Sequence, residues 1–124
     1  RQRVAGLFRD RAAEGRLRNL LPHGLIHLHR ELAHWPDGPG VFYGTYHAAK
    51  GLEFDTVILP FLSSARLPHP PDVAVFGERD ATTRDLSLLY VAVTRARANL
   101  VMSYAGETTA LLPDADGLYQ RRGR

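Results

Sequence analysis

The sequence contains no cysteine, which excludes disulfide bonds and thiolate metal ligands within the chain. It contains no Gly-x-x-x-x-Gly-Lys-[Ser/Thr] pattern, so it has no phosphate-binding loop of its own. It also has no apolar run near the length of a membrane span, and no charged-then-apolar signal segment at its start. The sequence therefore fits a reducing cytosol, and we expect no membrane partner.

Lysine is almost absent: Lys50 is the single example, and the other basic residues are arginine. The net charge of +3 comes from the two ends of the chain, because residues 41–113 hold slightly more acidic than basic side chains. A continuous basic stripe would indicate binding to a phosphate backbone. The observed distribution does not predict such a stripe.

The length of 124 residues suffices for one domain with a modest core. The sequence begins with Arg1 rather than Met, and we expect it to be a fragment of a longer protein. We divide it into an N-terminal helical and variable part (residues 1–40), a core (residues 41–113) and a C-terminal tail (residues 114–124).

The N-terminal part has apolar residues at helical spacing, beginning with Val4, Leu7 and Phe8. This spacing predicts one helix, or two short ones, from residue 3 to about residue 21. Residues 25–32 permit a short strand that runs into a helical turn. Four histidines follow one another closely here, and the spacing of His23 and His27 suits metal ligands. Because no cysteine or patterned carboxylate lies nearby, scattered polar positions explain them better, and we predict no metal site.

The core alternates between strand-like and helix-like segments. We predict strands at residues 41–45, 56–62 and 99–104, the last two buried on both faces because they are continuous apolar runs. Residues 63–80 are rich in proline, glycine and charge and predict a surface excursion. A helix capped by Thr82 or Thr83 is expected to follow, and a short helix at residues 108–112. Strands alternating with helices predict an α/β fold.

The helix expected after Thr82 or Thr83 has apolar positions at Leu86, Leu89, Tyr90 and Val93, which we expect to face the core. On this interpretation Tyr90 is a core residue rather than part of a site.

A first polar cluster, residues 45–55, joins the first core strand to the next one. Thr45 and His47 come just after the strand end, where ligands bind in open parallel sheets. Gly51 and neighbouring alanines leave room for a close approach, and the carboxylate of Glu53 can accept hydrogen bonds from a sugar hydroxyl. His47 can stack on a base or bond a phosphate. A structural histidine and an ordinary turn remain the alternatives.

A second cluster, residues 88–97, ends the predicted helix. Arg95 can present a planar fork of donors to a phosphate in a neighbouring domain. We expect it to face the same edge of the sheet as the first cluster. The alternative is an arginine that complements the helix dipole, which is our interpretation of Arg97.

Together and in this order, the two clusters resemble motifs V and VI of the UvrD/Rep-type superfamily 1 DNA helicases. Residues 67–69, Leu-Pro-His, resemble the loop between those motifs, and the resemblance covers residues 41 to about 104. It implies a three-layer RecA-like domain of the P-loop NTPase type with a mainly parallel sheet. This would be the second motor domain, which lacks the phosphate loop.

The resemblance also implies a role for five residues. Arg95 matches the arginine finger that reaches the γ-phosphate of ATP, Glu53 matches the ribose contact, and Gly51 matches the glycine that passes close to the nucleotide. Thr45 and His47 match positions that contact single-stranded DNA. ATP and Mg²⁺ would be held mainly by an N-terminal RecA-like motor domain, so this chain alone is expected to be inactive.

The function implied is that of an ATP-dependent DNA helicase or translocase, acting in DNA repair in the bacterial cytoplasm with the nucleoid. A non-catalytic nucleic-acid-binding or interaction module, a subunit of a helicase–nuclease complex and a translocase without unwinding activity remain alternatives. The sequence departs from the family at residues 84–87, where acidic and arginine residues are common. Arg3 or one of its neighbours is a candidate for the motif IV arginine, and a position upstream of Arg1 is the alternative. The loop at residues 63–80 is too short for a large inserted subdomain.

Overall fold

The computed structural model describes residues 2–10, 25–28, 39–113 and 119–120. In that part a single sheet is formed by β1 (Arg3–Phe8), β2 (Ile26–His27), β3 (Gly40–Thr45), β4 (Phe54–Leu59) and β5 (Ala96–Met102). The sheet order is β2-β3-β1-β4-β5, and every pairing is parallel. The helices are α1 (Pro70–Phe76) and α2 (Glu78–Val93), with a 3₁₀ turn at His47–Ala49. The predicted α/β class with a mainly parallel sheet is confirmed.

The central strand β1 was not predicted. The expected helix from residue 3 is wrong over Arg3–Phe8, and residues 11–21 lie outside the described residues. Ala5 and Leu7 are fully buried between β3 and β4. A short run of apolar residues in a central strand has no alternation of its own, so spacing alone does not distinguish it from a helix.

The parallel register defines two edges of the sheet. Arg3 pairs with Gly40 and Phe54 pairs with Ala96, so these strand starts form what we call the amino edge. Phe8 pairs with Thr45, and Leu59 pairs with Met102. These strand ends form the opposite side, the carboxyl edge.

The core lies on one face of the sheet. Strand residues such as Phe42 and Val57 are buried there by α2 and by the connection between β3 and β4. The opposite face is more open, because Ile58 in β4 and Val101 in β5 are 38% and 50% exposed. The prediction that these two strands are buried on both faces is therefore wrong on that side.

Helix α2 begins earlier than predicted. It starts at Glu78, directly after Gly77, whose φ of 86° lets the chain turn sharply out of α1. The predicted cap at Thr82 or Thr83 is wrong, and the Thr83 hydroxyl instead donates to the carbonyl of Arg79 within the helix.

The buried stripe of α2 also differs from the prediction. It consists of Ala81, Asp85, Leu89 and Ala92. Tyr90 is 71% exposed, so its assignment to the core is wrong. The stripe follows helical spacing, but small residues and one carboxylate occupy positions that the apolar pattern did not mark.

The excursion at residues 63–80 contains α1 and the start of α2, and α1 has no buried residue. The helix predicted at residues 108–112 is absent. Thr108 instead forms an isolated bridge with Ser63, and Thr109 is buried, with its hydroxyl donating to the carbonyl of Leu67 at 2.8 Å. No helix among the described residues is both long and apolar enough to cross a bilayer.

Candidate functional site

Arg95 lies at the amino edge, between the end of α2 and the start of β5. Its guanidinium donates from Nε to the carbonyl of Val91 at 3.0 Å and from Nη1 to the carbonyl of Leu52 at 3.3 Å. Nη2 donates to the Thr94 hydroxyl at 3.2 Å. Its own carbonyl accepts a 2.8 Å bond from the amide of Phe54. Arg95, in the second cluster, is thus hydrogen-bonded to Leu52 and Phe54 of the first cluster.

Glu53 shares this edge, one residue before Phe54. Its side chain is exposed, and its carbonyl accepts a 3.2 Å bond from Nε of Arg3. The Arg3 guanidinium lies over the rings of Phe42 and Phe54, with its carbon 5.0 and 5.3 Å from the ring centroids. At the amino edge, Arg3 and Arg95 therefore bond the backbone carbonyls of Glu53 and Leu52 respectively.

Gly51 forms the turn that leads to this edge. Its φ of 86° lies in the region that favours glycine, and a Cβ there would meet no atom within 4 Å. The space above its backbone is open, which is compatible with the predicted approach of a ligand.

Thr45 and His47 lie at the opposite, carboxyl edge. The Thr45 hydroxyl accepts a 3.3 Å bond from the amide of Ala48 and so begins the 3₁₀ turn, while the His47 side chain is exposed. The prediction that both clusters face one edge is right for Glu53 and Arg95 and wrong for Thr45 and His47. The first cluster covers both edges because it is a crossover connection in a parallel sheet.

The connection between the two edges is short, and we call residues 46–53 the crossover segment. Its Tyr46, Ala48, Ala49 and Leu52 are 1%, 8%, 0% and 9% exposed. These side chains pack into the core on the covered face of the sheet. The polar residues at its two ends are therefore joined by a well-packed stretch.

Sequence reasoning missed a group of charges at the carboxyl edge, which we call the Arg9 cluster: Arg9, Asp10, His69, Asp72 and Asp85. Arg9 follows β1 and donates from Nε to Oδ1 of Asp85 at 2.7 Å and from Nη2 to Asp72 at 2.8 Å. The other oxygen of Asp85 accepts from the amide of His69 at 2.6 Å. Nδ1 of His69 lies 3.2 Å from Oδ2 of Asp10.

The Asp85 side chain has no exposed surface. A carboxylate four residues before Leu89, on the buried stripe of α2, was the sequence signal for this cluster.

Tyr46 adjoins the Arg9 cluster. Burial raises the pKa of its hydroxyl well above the ordinary 10.0; Arg9 opposes this increase, and the charges of Asp85 and Asp10 add to it. The phenol is therefore held in its neutral form.

Within the described part of the chain, no three histidine or carboxylate side chains, those of the Arg9 cluster included, have an arrangement that could hold a metal ion. His27 stacks on Tyr43 with ring centroids 4.8 Å apart. His23, His29 and His34 lie outside the described residues.

Comparison with protein families decides the relationship. The model of the UvrD-like helicase C-terminal domain matches residues 8–107. The chain belongs to this family. The match includes both polar clusters and the Arg9 cluster, so the resemblance drawn from motifs V and VI is confirmed.

Individual relatives are DNA helicases. This UvrD-like domain is 40% identical over 87 residues to the ATP-dependent DNA helicase UvrD2 of Mycobacterium tuberculosis, covering 68% of the chain and 12% of that protein. It is 30% identical over 89 residues to DNA helicase II of Rickettsia typhi, covering 72% and 13%. The chain thus spans only about an eighth of the length of these relatives.

A solved structure supports the fold. The C-terminal domain of a possible DNA helicase from Lactobacillus plantarum matches with a TM-score of 0.60, covering 87% of this chain and 59% of that one. Sequence identity is 23%, so this likeness concerns the fold of the UvrD-like domain alone.

Proposed function

We propose that this chain is the second motor domain of an ATP-dependent DNA helicase or translocase of the UvrD type, acting in the bacterial cytoplasm. It supplies an arginine finger, a ribose contact and contacts to single-stranded DNA. The observation that carries the proposal is the shared position of Arg95 and Glu53 at the amino edge. Thr45 and His47 lie at the other edge, joined to them by the crossover segment.

The amino edge is suited to a nucleotide held by a preceding RecA-like domain. ATP and Mg²⁺ bind mainly to that domain, where the metal ion supplies charge neutralisation on the phosphates. A guanidinium has five N–H donors. Within the described part of the chain, one donor on each nitrogen of Arg95 is engaged, so Nη1 and Nη2 each keep one for a γ-phosphate oxygen.

The ribose contact is assigned to Glu53. Its exposed carboxylate lies beside the segment that Arg95 bonds at Leu52, so both groups address one ligand. A carboxylate accepts hydrogen bonds from vicinal hydroxyls, whereas it repels phosphate. This difference orients the nucleotide with its sugar toward Glu53 and its phosphates toward Arg95.

The carboxyl edge is suited to single-stranded DNA. The exposed ring of His47 provides a face for a base or a donor for a phosphate. Thr45 holds the start of the 3₁₀ turn through its hydroxyl and thereby positions His47.

The crossover segment links the two activities. When Arg95 loses its γ-phosphate contact on hydrolysis, the Leu52 carbonyl that it bonds is the first group of the segment to respond. Because the segment is packed, a shift at Leu52 is passed on toward His47 rather than absorbed. This motion moves the domain along the strand.

The test uses the natural full-length protein. Arg95→Ala should reduce DNA-stimulated ATP hydrolysis by about a thousandfold or more, as loss of an arginine finger does. Binding to a single-stranded oligonucleotide should be unchanged. Arg97→Ala, at an exposed arginine two residues away, is the matched control and should keep normal turnover. Full turnover in Arg95→Ala would sink the assignment, and a strand-displacement assay separates unwinding from translocation alone.

A further inference from the structure

The second half of α2 has an exposed face without charged residues. Leu86, Ser87 and Tyr90 are exposed there, and Thr94 is exposed at the end of the helix. Helix α2 is described over its whole length, and none of its exposed residues after Arg84 is charged. The first half exposes the charged residues that a surface helix ordinarily presents to water: Glu78, Arg79, Asp80 and Arg84. We call Leu86, Ser87, Tyr90 and Thr94 the α2 stripe.

The α2 stripe is apolar as well as uncharged. Leu86 and Tyr90 stand four residues apart and are therefore neighbours on the helix surface. They are 46% and 71% exposed, although both were expected to face the core. Protein interfaces are enriched in tyrosine and have few charged residues at their centre. The stripe thus has the composition of a surface that contacts another protein domain.

Leu86 also distinguishes this chain from the pattern of its family. It lies within residues 84–87, where acidic and arginine residues are common in the family. An apolar side chain with nearly half of its surface in water needs a reason at such a position. Contact with a second apolar surface provides one.

The stripe ends beside the proposed arginine finger. Thr94 follows Tyr90 by four residues, which is about one helical turn. Its hydroxyl accepts a 3.2 Å bond from Nη2 of Arg95. A domain that brings a γ-phosphate to Arg95 therefore comes within about one helical turn of Tyr90. The stripe is thus continuous with the surface proposed to face the nucleotide.

Single-stranded DNA suits the stripe less well than a protein domain does. The contacts proposed for DNA, Thr45 and His47, lie at the carboxyl edge, and the seven residues of β5 separate the two edges by roughly 20 Å. A surface that binds DNA also needs cations for the phosphates. The four residues of the stripe include none. An uncharged surface of a neighbouring domain matches it instead.

We propose that the α2 stripe is the surface against which the preceding RecA-like motor domain closes when ATP is bound. Tyr90 and Leu86 form the apolar contact, which holds Arg95 at the distance of the γ-phosphate. Tyr90 is thus a positioning residue that acts through Arg95. The proposal rests on the proposed function, because it needs a preceding domain that carries the nucleotide.

The first experiment identifies the occupant of the stripe in the natural full-length protein. Tyr90→p-benzoyl-phenylalanine places a photo-crosslinking group at the exposed position. Illumination should crosslink it to a peptide of the preceding motor domain, identified by mass spectrometry, and a non-hydrolysable ATP analogue should increase the yield. Crosslinks confined to a second copy of the protein or to an added oligonucleotide, or the absence of any crosslink, would overturn the proposal.

The second experiment measures closure through nucleotide affinity. Tyr90→Ala should raise the Kd of the non-hydrolysable ATP analogue about five- to tenfold, as truncation of an interface tyrosine does. The Kd of ADP should stay at the wild-type value, because closure needs the γ-phosphate. Tyr90→Phe keeps the ring and should recover the affinity for the analogue. Val75→Ala is the matched control: it truncates a side chain on α1 that is 73% exposed, and both Kd values should be unchanged.

The outcomes separate this inference from the proposed function. A wild-type Kd for the analogue in Tyr90→Ala, together with lost ATP hydrolysis in Arg95→Ala, overturns the role of the stripe and leaves the proposed function intact. Equal weakening of ADP and the analogue also overturns that role, because the lost contact then does not depend on the γ-phosphate. Full turnover in Arg95→Ala overturns the arginine finger and, with it, the positioning role of Tyr90.

Discussion

Nε of Arg9 donates a 2.7 Å hydrogen bond to Oδ1 of Asp85, a carboxylate with no exposed surface. The pair joins the end of the central strand to the buried stripe of α2. The second oxygen of Asp85 holds the amide of His69 at 2.6 Å. The Asp85 side chain thus connects α2 to the end of β1 and to the residue that precedes α1.

Asp85→Asn should destabilise the protein by roughly 3 kcal/mol, because the guanidinium of Arg9, only 16% exposed, loses the fully buried one of its two carboxylate partners. Asp72→Asn is the control: Asp72 bonds the same guanidinium, but its side chain is 23% exposed, and a loss below about 1 kcal/mol is expected. Urea unfolding of both variants measures the difference. Equal losses would contradict the central role of Asp85.

Tyr46 should make the protein sensitive to alkali. Burial raises the pKa of its hydroxyl above 10.0, so the folded state keeps a proton that the unfolded state releases. This contribution to stability is fully present below the unfolded pKa and is lost as pH rises above about 10. Urea unfolding from about pH 8 to about pH 11 should show a falling free energy of unfolding. Tyr46→Phe should flatten the decline, and parallel curves for the two proteins would refute the prediction.

Gly44 should tolerate no side chain. A Cβ there would stand 2.9 Å from Cβ of Leu28 and 3.0 Å from its carbonyl oxygen. Gly44→Ala should therefore cost about 1–3 kcal/mol through overpacking. Gly6→Ala is the matched change in the neighbouring strand β1, where a Cβ meets nothing within 4 Å, and it should be neutral or stabilising by up to about 1 kcal/mol. Thermal unfolding ranks the two, and a reversed order would be incompatible with this packing.

Thr94 should position Arg95, the proposed arginine finger. Its hydroxyl lies 2.9 Å from the carbonyl of Tyr90 and accepts a 3.2 Å bond from Nη2 of Arg95. In the natural full-length protein, Thr94→Val should lower the kcat of ATP hydrolysis about five- to tenfold with little change in KM. Thr94→Ser restores the hydroxyl and should recover the rate. No recovery with serine would mean that the hydroxyl does not act on Arg95.

Sequence patterns sufficed for the elements that carry strong local signals. Strands β3, β4 and β5 and helix α2 were predicted to within a few residues, and the two polar clusters led to the family. Strand β1 was not predicted because Val4, Leu7 and Phe8 match helical spacing. These residues form a strand because they pair with β3 and β4 and are buried between them. The residue pattern of one β-strand does not show which other strands lie beside it in the sheet.

The candidate residues stand out in the sequence by type, but their positions in the sheet depend on the strand register. Arg95 and Glu53 meet at one edge because Phe54 pairs with Ala96, a register that neither cluster specifies. The Arg9 cluster depends on contacts between residues as far apart in the chain as Arg9 and Asp85. A buried carboxylate on a helix is indistinguishable in sequence from an exposed one until its partner is placed.

The sheet order has a consequence for synthesis and folding. β1 is made first, yet both of its neighbours, β3 and β4, come later in the chain. During translation the central strand therefore has no partner until Thr45 has emerged, and it lacks its second neighbour until Leu59 follows. Pairings of such long sequence separation form slowly. Val4 to Phe8, the uncharged part of β1, is therefore unpaired and open to aggregation for the longest time while the ribosome completes the domain.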